Sequence, residues 1–169
     1  MVANFSPKWK SAGVAGRRWI VVVASGAGLG YAPIASGTVG TLAGVALYPV
    51  FDWIRGVSVP LYVALFVVLV AAAIGIAHEA ERIFAEKDSG KIVIDEVAGY
   101  IAATLFVPMS LFTVIAAFFI FRFFDIVKLW PASWFDRRPG GVGVVMDDVV
   151  SGLYSNLVLR ALLYLYVML

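Results

Sequence analysis

Five of the eleven acidic residues in this 169-residue chain fall in three compact places, Asp95-Glu96, Asp125 and Asp147-Asp148. Each place lies at the edge of an apolar, uncharged run. Neighbouring carboxylates repel one another, and burial raises the cost. A divalent cation between them removes that penalty, and hard carboxylate oxygens suit Mg²⁺ or Mn²⁺. Cationic side chains stand close by. Lys91 precedes Asp95-Glu96, Arg122 lies three residues before Asp125, and Lys128 lies three after it. If that segment is helical, Lys128 shares a face with Asp125. Carboxylates for a metal, with Lys and Arg for anionic oxygens, make a set suited to phosphate chemistry. Ordinary helix ion pairing, Arg122–Asp125–Lys128, accounts for the same charges equally well, so charge pattern alone leaves both readings open.

Glycines and hydroxyls add weaker signals. Ser36-Gly37-Thr38-Val39-Gly40-Thr41 offers backbone N–H groups and the Thr38 and Thr41 hydroxyls at a helix start, an anion cradle. A capped helix start with small residues for close packing explains it as well. Gly140-Gly141-Val142-Gly143 precedes Asp147-Asp148 and permits a tight turn or close backbone approach. His78, the single histidine, cannot support a phosphatase that needs two and reads as a membrane-interface residue. Glu79 beside it is a further candidate ligand. The absence of cysteine excludes a disulfide framework, Cys-type zinc sites and a cysteine nucleophile. G-x-x-x-x-G-K-[ST], D-x-D-x-[TV] and G-x-S-x-G are all missing. That argues against nucleotide as a substrate and favours metal-activated water over a covalent intermediate. A net charge of +2 is too small to suggest nucleic acid.

The elements that must position these groups are apolar. Hydrophobic residues make up 62% and charged residues 14%, against roughly 45–50% and 25% in soluble domains. Mean hydropathy is +0.95. Residues 20–51, 57–77 and 97–121 carry no charge, and 149–169 carry only Arg160. The run 57–77 matches the roughly 20 apolar residues of a spanning helix, with Pro60 tolerated in its first turn. The run 20–51 is interrupted by Ser25-Gly26-Ala27-Gly28-Leu29-Gly30. It predicts a loop or re-entrant segment near 25–37, then a helix over 38–54 with Ser36 or Thr38 as its N-cap. Residues 52–56 read as a short turn, and a polar helix starts at His78, with Arg82 and Glu86 spaced to pair. Trp130 and Trp134, flanking Pro131, suit the headgroup level.

Lysine and arginine counts place the N-terminus and the blocks 78–96 and 122–148 on the cytoplasmic side, and the 52–56 turn outside. A single crossing over 97–121 would put the two blocks on opposite faces. A turn at Val107-Pro108-Met109-Ser110 resolves the conflict by dividing the run into two short helices, each roughly 16 Å long. A kinked single crossing is the alternative. The chain is thus expected to be all-α, a polytopic helical membrane protein with a re-entrant or kinked helical hairpin around Pro108. A basic arm over 1–18, carrying Lys8, Lys10, Arg17 and Arg18, precedes one membrane-embedded domain over 19–169.

Several of these residues form longer motifs. Phe121-Arg122-Phe123-Phe124-Asp125-Ile126-Val127-Lys128-Leu129-Trp130-Pro131, Trp134-Phe135-Asp136-Arg137, Gly140-Gly141-Val142-Gly143 and Met146-Asp147-Asp148-Val149-Val150-Ser151-Gly152 together resemble the phosphatidylglycerophosphatase A family. Ile92-Val93-Ile94-Asp95-Glu96-Val97-Ala98-Gly99 resembles its other signature, and Ser36-Gly37-Thr38-Val39-Gly40-Thr41 its N-terminal glycine-threonine motif. Leu129 stands where the family usually has proline and Ser151 where it usually has alanine; neither change removes a charge.

The resemblance implies an all-helical, Mg²⁺-dependent lipid phosphatase of the bacterial inner membrane, converting phosphatidylglycerophosphate to phosphatidylglycerol and phosphate in phospholipid biosynthesis. On that reading Asp95, Glu96, Asp125, Asp147 and Asp148 surround one or two Mg²⁺ ions at the cytoplasmic interface, and Asp88 joins Glu79 as a further candidate. Lys128 and Arg122 neutralise phosphate oxygens, Thr38 and Thr41 help to bind substrate, and Arg137 and Arg138 attract the anionic headgroup. The principal rival is a divalent-cation transporter or channel using the same carboxylates. Against it, the acids lie at the edges of the runs rather than in their middles. A CDP-alcohol phosphatidyltransferase lacks support because its D-G-x2-A-R-x8-G-x3-D-x3-D motif is missing, and a non-catalytic lipid scaffold does not account for so many acids.

Overall fold

The computed structural model of the chain describes residues 14–168, so Lys8 and Lys10 of the basic arm lie outside the described residues. Among the described residues there are seven α-helices and no strand. They are α1 (Val14–Ala24), α2 (Ser36–Val57), α3 (Val59–Phe84), α4 (Ile94–Ala103), α5 (Leu111–Val127), α6 (Ala132–Asp136) and α7 (Gly141–Met168), with a 3₁₀ turn at Leu29–Tyr31. Arg17 and Arg18 lie within α1.

Among the described residues, two helices are long and apolar enough to cross a membrane. The most apolar stretch of α3 has mean hydropathy 2.7, yet only 11% of it is buried. A helix stretch that is apolar all round and still faces outward suits lipid as its surroundings. The corresponding stretch of α7 is 61% buried, and α7 packs against α3, α4, α5 and α6.

Three local expectations are corrected. Nothing breaks the helix between residues 77 and 78, so α3 continues through His78 to Phe84, and no separate polar helix starts there. Arg82 pairs with Glu79 at 2.9 Å, while Glu86 accepts from the Ser89 hydroxyl. Residues 52–56 form the last turn of α2, where Asp52 and Arg55 pair one turn apart at 2.7 Å; the chain turns at Ser58. The start of α2 is Ser36 rather than Thr38, after Ala35 in a left-handed conformation, and neither Ser36 nor Thr38 caps it.

The apolar run 97–121 does turn back. α4 ends at Ala103 and α5 begins at Leu111, where Ser110 and Thr113 form a capping box. Unwound backbone surrounded by apolar structure must find its hydrogen bonds in side chains. Asn156 Nδ2 donates to the carbonyls of Ala103 and Leu105 at 2.9 Å each. Arg160 donates to Leu105 and Tyr48 to Val107, each at 2.8 Å, and the Phe106 N–H donates to Tyr62 Oη at 3.1 Å. Tyr48, Tyr100 and Phe121 then stack edge to face through the interior.

The return of α5 puts its last turns beside the first turn of α4. α7 closes the arrangement by approaching α4 backbone to backbone. A Cβ on Gly152 would come within 2.2 Å of the Gly99 carbonyl oxygen, and one on Gly99 within 2.9 Å of the Asp148 carbonyl oxygen. Only glycine permits that contact.

Replacing Asn156 with leucine removes the donor that Ala103 depends on and one of two that serve Leu105. A cost of about 1–3 kcal/mol follows from an unsatisfied buried carbonyl. The expected outcome is a thermal midpoint several degrees lower in detergent. An unchanged midpoint would show that the break is held by other groups.

Candidate active site

Asp95 and Glu96 occupy the first turn of α4, and Asp148 lies in the early part of α7. The glycine contact between these helices brings one carboxylate oxygen of each within 4.8 Å of the other two. Asp95 and Asp148 are buried. Asp95 Oδ1 and Glu96 Oε2 are buried and have no hydrogen-bond donor among the described residues. Burial first, and then the Glu96 charge, pushes the Asp95 carboxyl well above the usual carboxylate range; burial likewise raises Glu96. Orphaned, buried, all-oxygen donors gathered on one point fit a hard divalent cation.

The other expected acids are close by but differently engaged. Asp125, on α5, pairs with Arg122 at 2.6 Å, one helical turn away. Arg122 Nε is buried without a hydrogen-bond partner among the described residues. Asp147 pairs with Lys128 at 2.5 Å. Lys128 therefore does not extend the helical face of Asp125. It is the C-cap of α5, in a left-handed conformation that turns it away from its helix. There it also meets Asp136 of α6 at 2.5 Å. Burial acts to lower the Lys128 ammonium, but the hydrogen bonds it donates to Asp136 and Asp147 outweigh that and hold the group well above its ordinary range. Asp136 is thus a site residue that spacing did not single out. Eight positions and a Pro131 turn separate it from Lys128, and no helical period connects them.

The start of α2 completes the enclosure. A Cβ at Gly37 would lie 2.3 Å from Glu96 Oε1 and 3.0 Å from an Arg122 terminal nitrogen. Gly37 is thus the contact between α2, the acid cluster and the arginine. Thr38 sits beside it in the first turn, half-buried. The buried Thr41 hydroxyl donates to the Gly37 carbonyl at 2.8 Å, so it secures the helix start rather than offering itself to a ligand.

The remaining candidates lie further out. Glu79 is engaged by Arg82 and shares no oxygen cluster with Asp95. Asp88 is exposed, in a left-handed conformation, with its N–H donating to Glu81; its charge is nevertheless felt at Asp95. Arg137 and Arg138 are exposed at the end of α6, and Arg138 stacks 4.0 Å over the Trp134 ring. Ser151, at a position of departure from the family pattern, donates to the Phe124 carbonyl at 3.4 Å and so joins α7 to α5.

The family model described as phosphatidylglycerophosphatase A matches residues 22–163. The chain belongs to the phosphatidylglycerophosphatase A family. All the site residues just described fall within the matched stretch. Among relatives, the phosphatidylglycerophosphatase A of Escherichia coli (strain K12) is 35% identical over 138 residues, covering 79% of this chain and 77% of the relative. That of Haemophilus influenzae is 33% identical over 147 residues, covering 86% and 89%. A protein of Bacteroides thetaiotaomicron named as a putative phosphatidylinositol-3-phosphatase is 36% identical over 140 residues, covering 80% and 87%. No solved structure matches the chain. Membership makes the chain a phosphatase, a phosphoric monoester hydrolase.

Gly37→Ala is expected to force Glu96 and Arg122 apart and to lower phosphatase turnover at least about tenfold, the scale of a displaced supporting group. Gly56→Ala, where a Cβ meets nothing within 4 Å, is the control at the far end of the same helix. Equal activity in the two variants would remove the α2 start from the site.

Proposed function

We propose that the chain hydrolyses phosphatidylglycerophosphate to phosphatidylglycerol and phosphate, that it requires Mg²⁺, and that it works at the cytoplasmic face of a bacterial inner membrane, which it crosses more than once. The observation that carries this reading is the buried, orphaned carboxylate cluster flanked by Arg122 and Lys128. Six carboxylates (Asp95, Glu96, Asp125, Asp136, Asp147 and Asp148) surround two cations, an arrangement that repels a phosphate dianion unless further positive charge is bound.

Asp95, Glu96 and Asp148 are the residues that would hold Mg²⁺. When bound, the ion supplies Lewis-acid polarisation of the phosphate and a lower pKa for the attacking water. The side chains divide the remaining work. Arg122 keeps its pairing with Asp125 and still has a buried Nε free to donate to a phosphate oxygen. Lys128 is already shared by Asp136 and Asp147, so a phosphate oxygen takes the place of a carboxylate rather than filling an unused valence. Water attacks phosphorus, the bond to the glycerol oxygen breaks, and that oxygen leaves as a hydroxyl after gaining a proton. Exposed Arg137 and Arg138, with Trp134 at the headgroup level, attract the anionic lipid surface, and the acyl chains stay in the bilayer. The product places the enzyme in phospholipid biosynthesis.

The Bacteroides relative's name favours one second reading, an inositol phospholipid phosphate as substrate. Phosphate release by the purified protein from phosphatidylglycerophosphate and from phosphatidylinositol 3-phosphate, with and without Mg²⁺, separates the two. Release from neither lipid, with or without Mg²⁺, would overturn the phosphatidylglycerophosphate reading.

Asp95→Asn and Asp148→Asn are each expected to lower turnover at least about 100-fold, beyond the 10–100-fold typical of groups that only support a metal ligand. Mg²⁺ should raise the thermal midpoint of the wild type and leave both variants unmoved. A midpoint that responds to Mg²⁺ equally in all three proteins would end the metal assignment.

Orientation is tested by thiol labelling, since the chain has no cysteine of its own. Gly56 lies about 28 Å along α2 from Gly37, enough to separate the two faces of a bilayer. Cysteines at exposed Gly90 and at Ser133 are expected to react from the cytoplasmic side, and one at Gly56 from the outer side. Reaction of Gly90 and Ser133 from opposite sides would refute the proposed topology.

A further inference from the structure

An open cavity of about 400 Å³ lies between the 3₁₀ turn and the loop leading from α3 into α4. Its walls include Tyr31, Ser36, Glu86, Ser89 and Lys91, none of which belongs to the acid cluster. Ser36 connects the two places. It precedes Gly37, where a Cβ would lie 2.3 Å from Glu96 Oε1. With successive Cα atoms about 3.8 Å apart, Ser36 stands on the order of 8 Å from the Glu96 carboxylate. The opposite wall is pressed close as well. A Cβ on Gly30 would meet the Lys91 carbonyl at 2.1 Å, and one on Gly90 would stand 3.5 Å from Ser36 Oγ.

The groups in this cavity have capacity to spare. Lys91 forms no ion pair among the described residues, and its ammonium lies 5.2 Å over the Phe84 ring centroid. The Ser36 hydroxyl has no hydrogen-bond partner among the described residues. Glu86 Oε2 accepts from Ser89 at 2.7 Å, which leaves its other oxygen open. One cation without an ion pair, one hydroxyl without a hydrogen-bond partner and one carboxylate acceptor match an anionic phosphodiester next to an alcohol. The ammonium takes the diester oxygen, and the carboxylate accepts the alcohol O–H.

We propose that this cavity is the headgroup subsite, in which Lys91 pairs with the phosphodiester of the lipid while Ser36 and Glu86 hydrogen-bond the hydroxyl of the polyol that links it to the monoester phosphate. The inference rests on the phosphatase reading above, with the monoester phosphate at Arg122 and the acids. It makes Lys91, Ser36 and Glu86 the residues that distinguish a headgroup-bearing lipid from a bare lipid phosphate.

The test measures phosphate release from phosphatidylglycerophosphate and from phosphatidic acid in the same detergent micelles with Mg²⁺. Phosphatidic acid carries a monoester phosphate but neither the diester nor the polyol. The full-length wild type is expected to prefer phosphatidylglycerophosphate. Lys91→Ala is expected to raise KM for that lipid about tenfold, with kcat little changed, so that the ratio of kcat/KM between the two lipids falls about tenfold. Glu86→Gln should lower the same ratio severalfold. An unchanged ratio in Lys91→Ala, or an equal loss on both lipids, would overturn the subsite, as would a wild type with no preference between them. A wild type inactive on both lipids would overturn the phosphatase reading and the subsite with it.

Discussion

Asp95, Glu96 and Asp148 stand together because α4 and α7 touch backbone to backbone at Gly99 and Gly152. Without that contact the two helices would separate to ordinary side-chain packing distance, and the carboxylates would separate with them. Gathering buried carboxylates costs several kcal/mol per charge unless something compensates. The cost is borne by the apolar and aromatic packing around the cluster, where Tyr100 and Phe121 lock α4 to α5. A feature that opposes stability and is nonetheless built so tightly belongs to function rather than to folding.

The two ends of the bundle meet different demands, and α7 serves both. At one end it contributes Asp147 and Asp148. At the other, Asn156 and Arg160 donate to the carbonyls freed where the apolar run breaks. Asp148 and Asn156 are about 12 Å apart along the helix axis. The turn between α4 and α5 therefore does more than reverse the chain. It returns α5 so that Arg122 and Asp125 reach the cluster, and the donors on α7, with Tyr48 and Tyr62, make that reversal tolerable away from water.

Charge pairing follows the same division of labour. Arg122 finds Asp125 within its own helix, a local arrangement set by one helical turn. Lys128 finds its partners on α6 and α7, so its position depends on the whole domain being folded. The first resembles a fixed electrostatic support, whereas the second joins three elements at a single ammonium.

Much of this was legible in the residues alone. The long apolar runs and the acids at their edges follow from local properties, since hydropathy acts on the segment that contains it, while the reversal near Pro108 followed from the need to keep two basic blocks on one side. The pairing of Arg122 with Asp125 follows in the same way from one turn of helix. Local signals failed where a helix did not stop at its last apolar residue: α2 runs on through 52–56 and α3 through His78, because polar residues without a breaker continue a helix already formed. They failed again at Lys128, whose left-handed backbone at the end of α5 turns it from Asp125 towards Asp147 and Asp136. Which of the acids share a point, which are held by cations, and why Gly37 must be glycine were decided only by tertiary structure. Those outcomes depend on how closely separate helices approach, and a close approach is a property of two surfaces that no spacing along one chain contains.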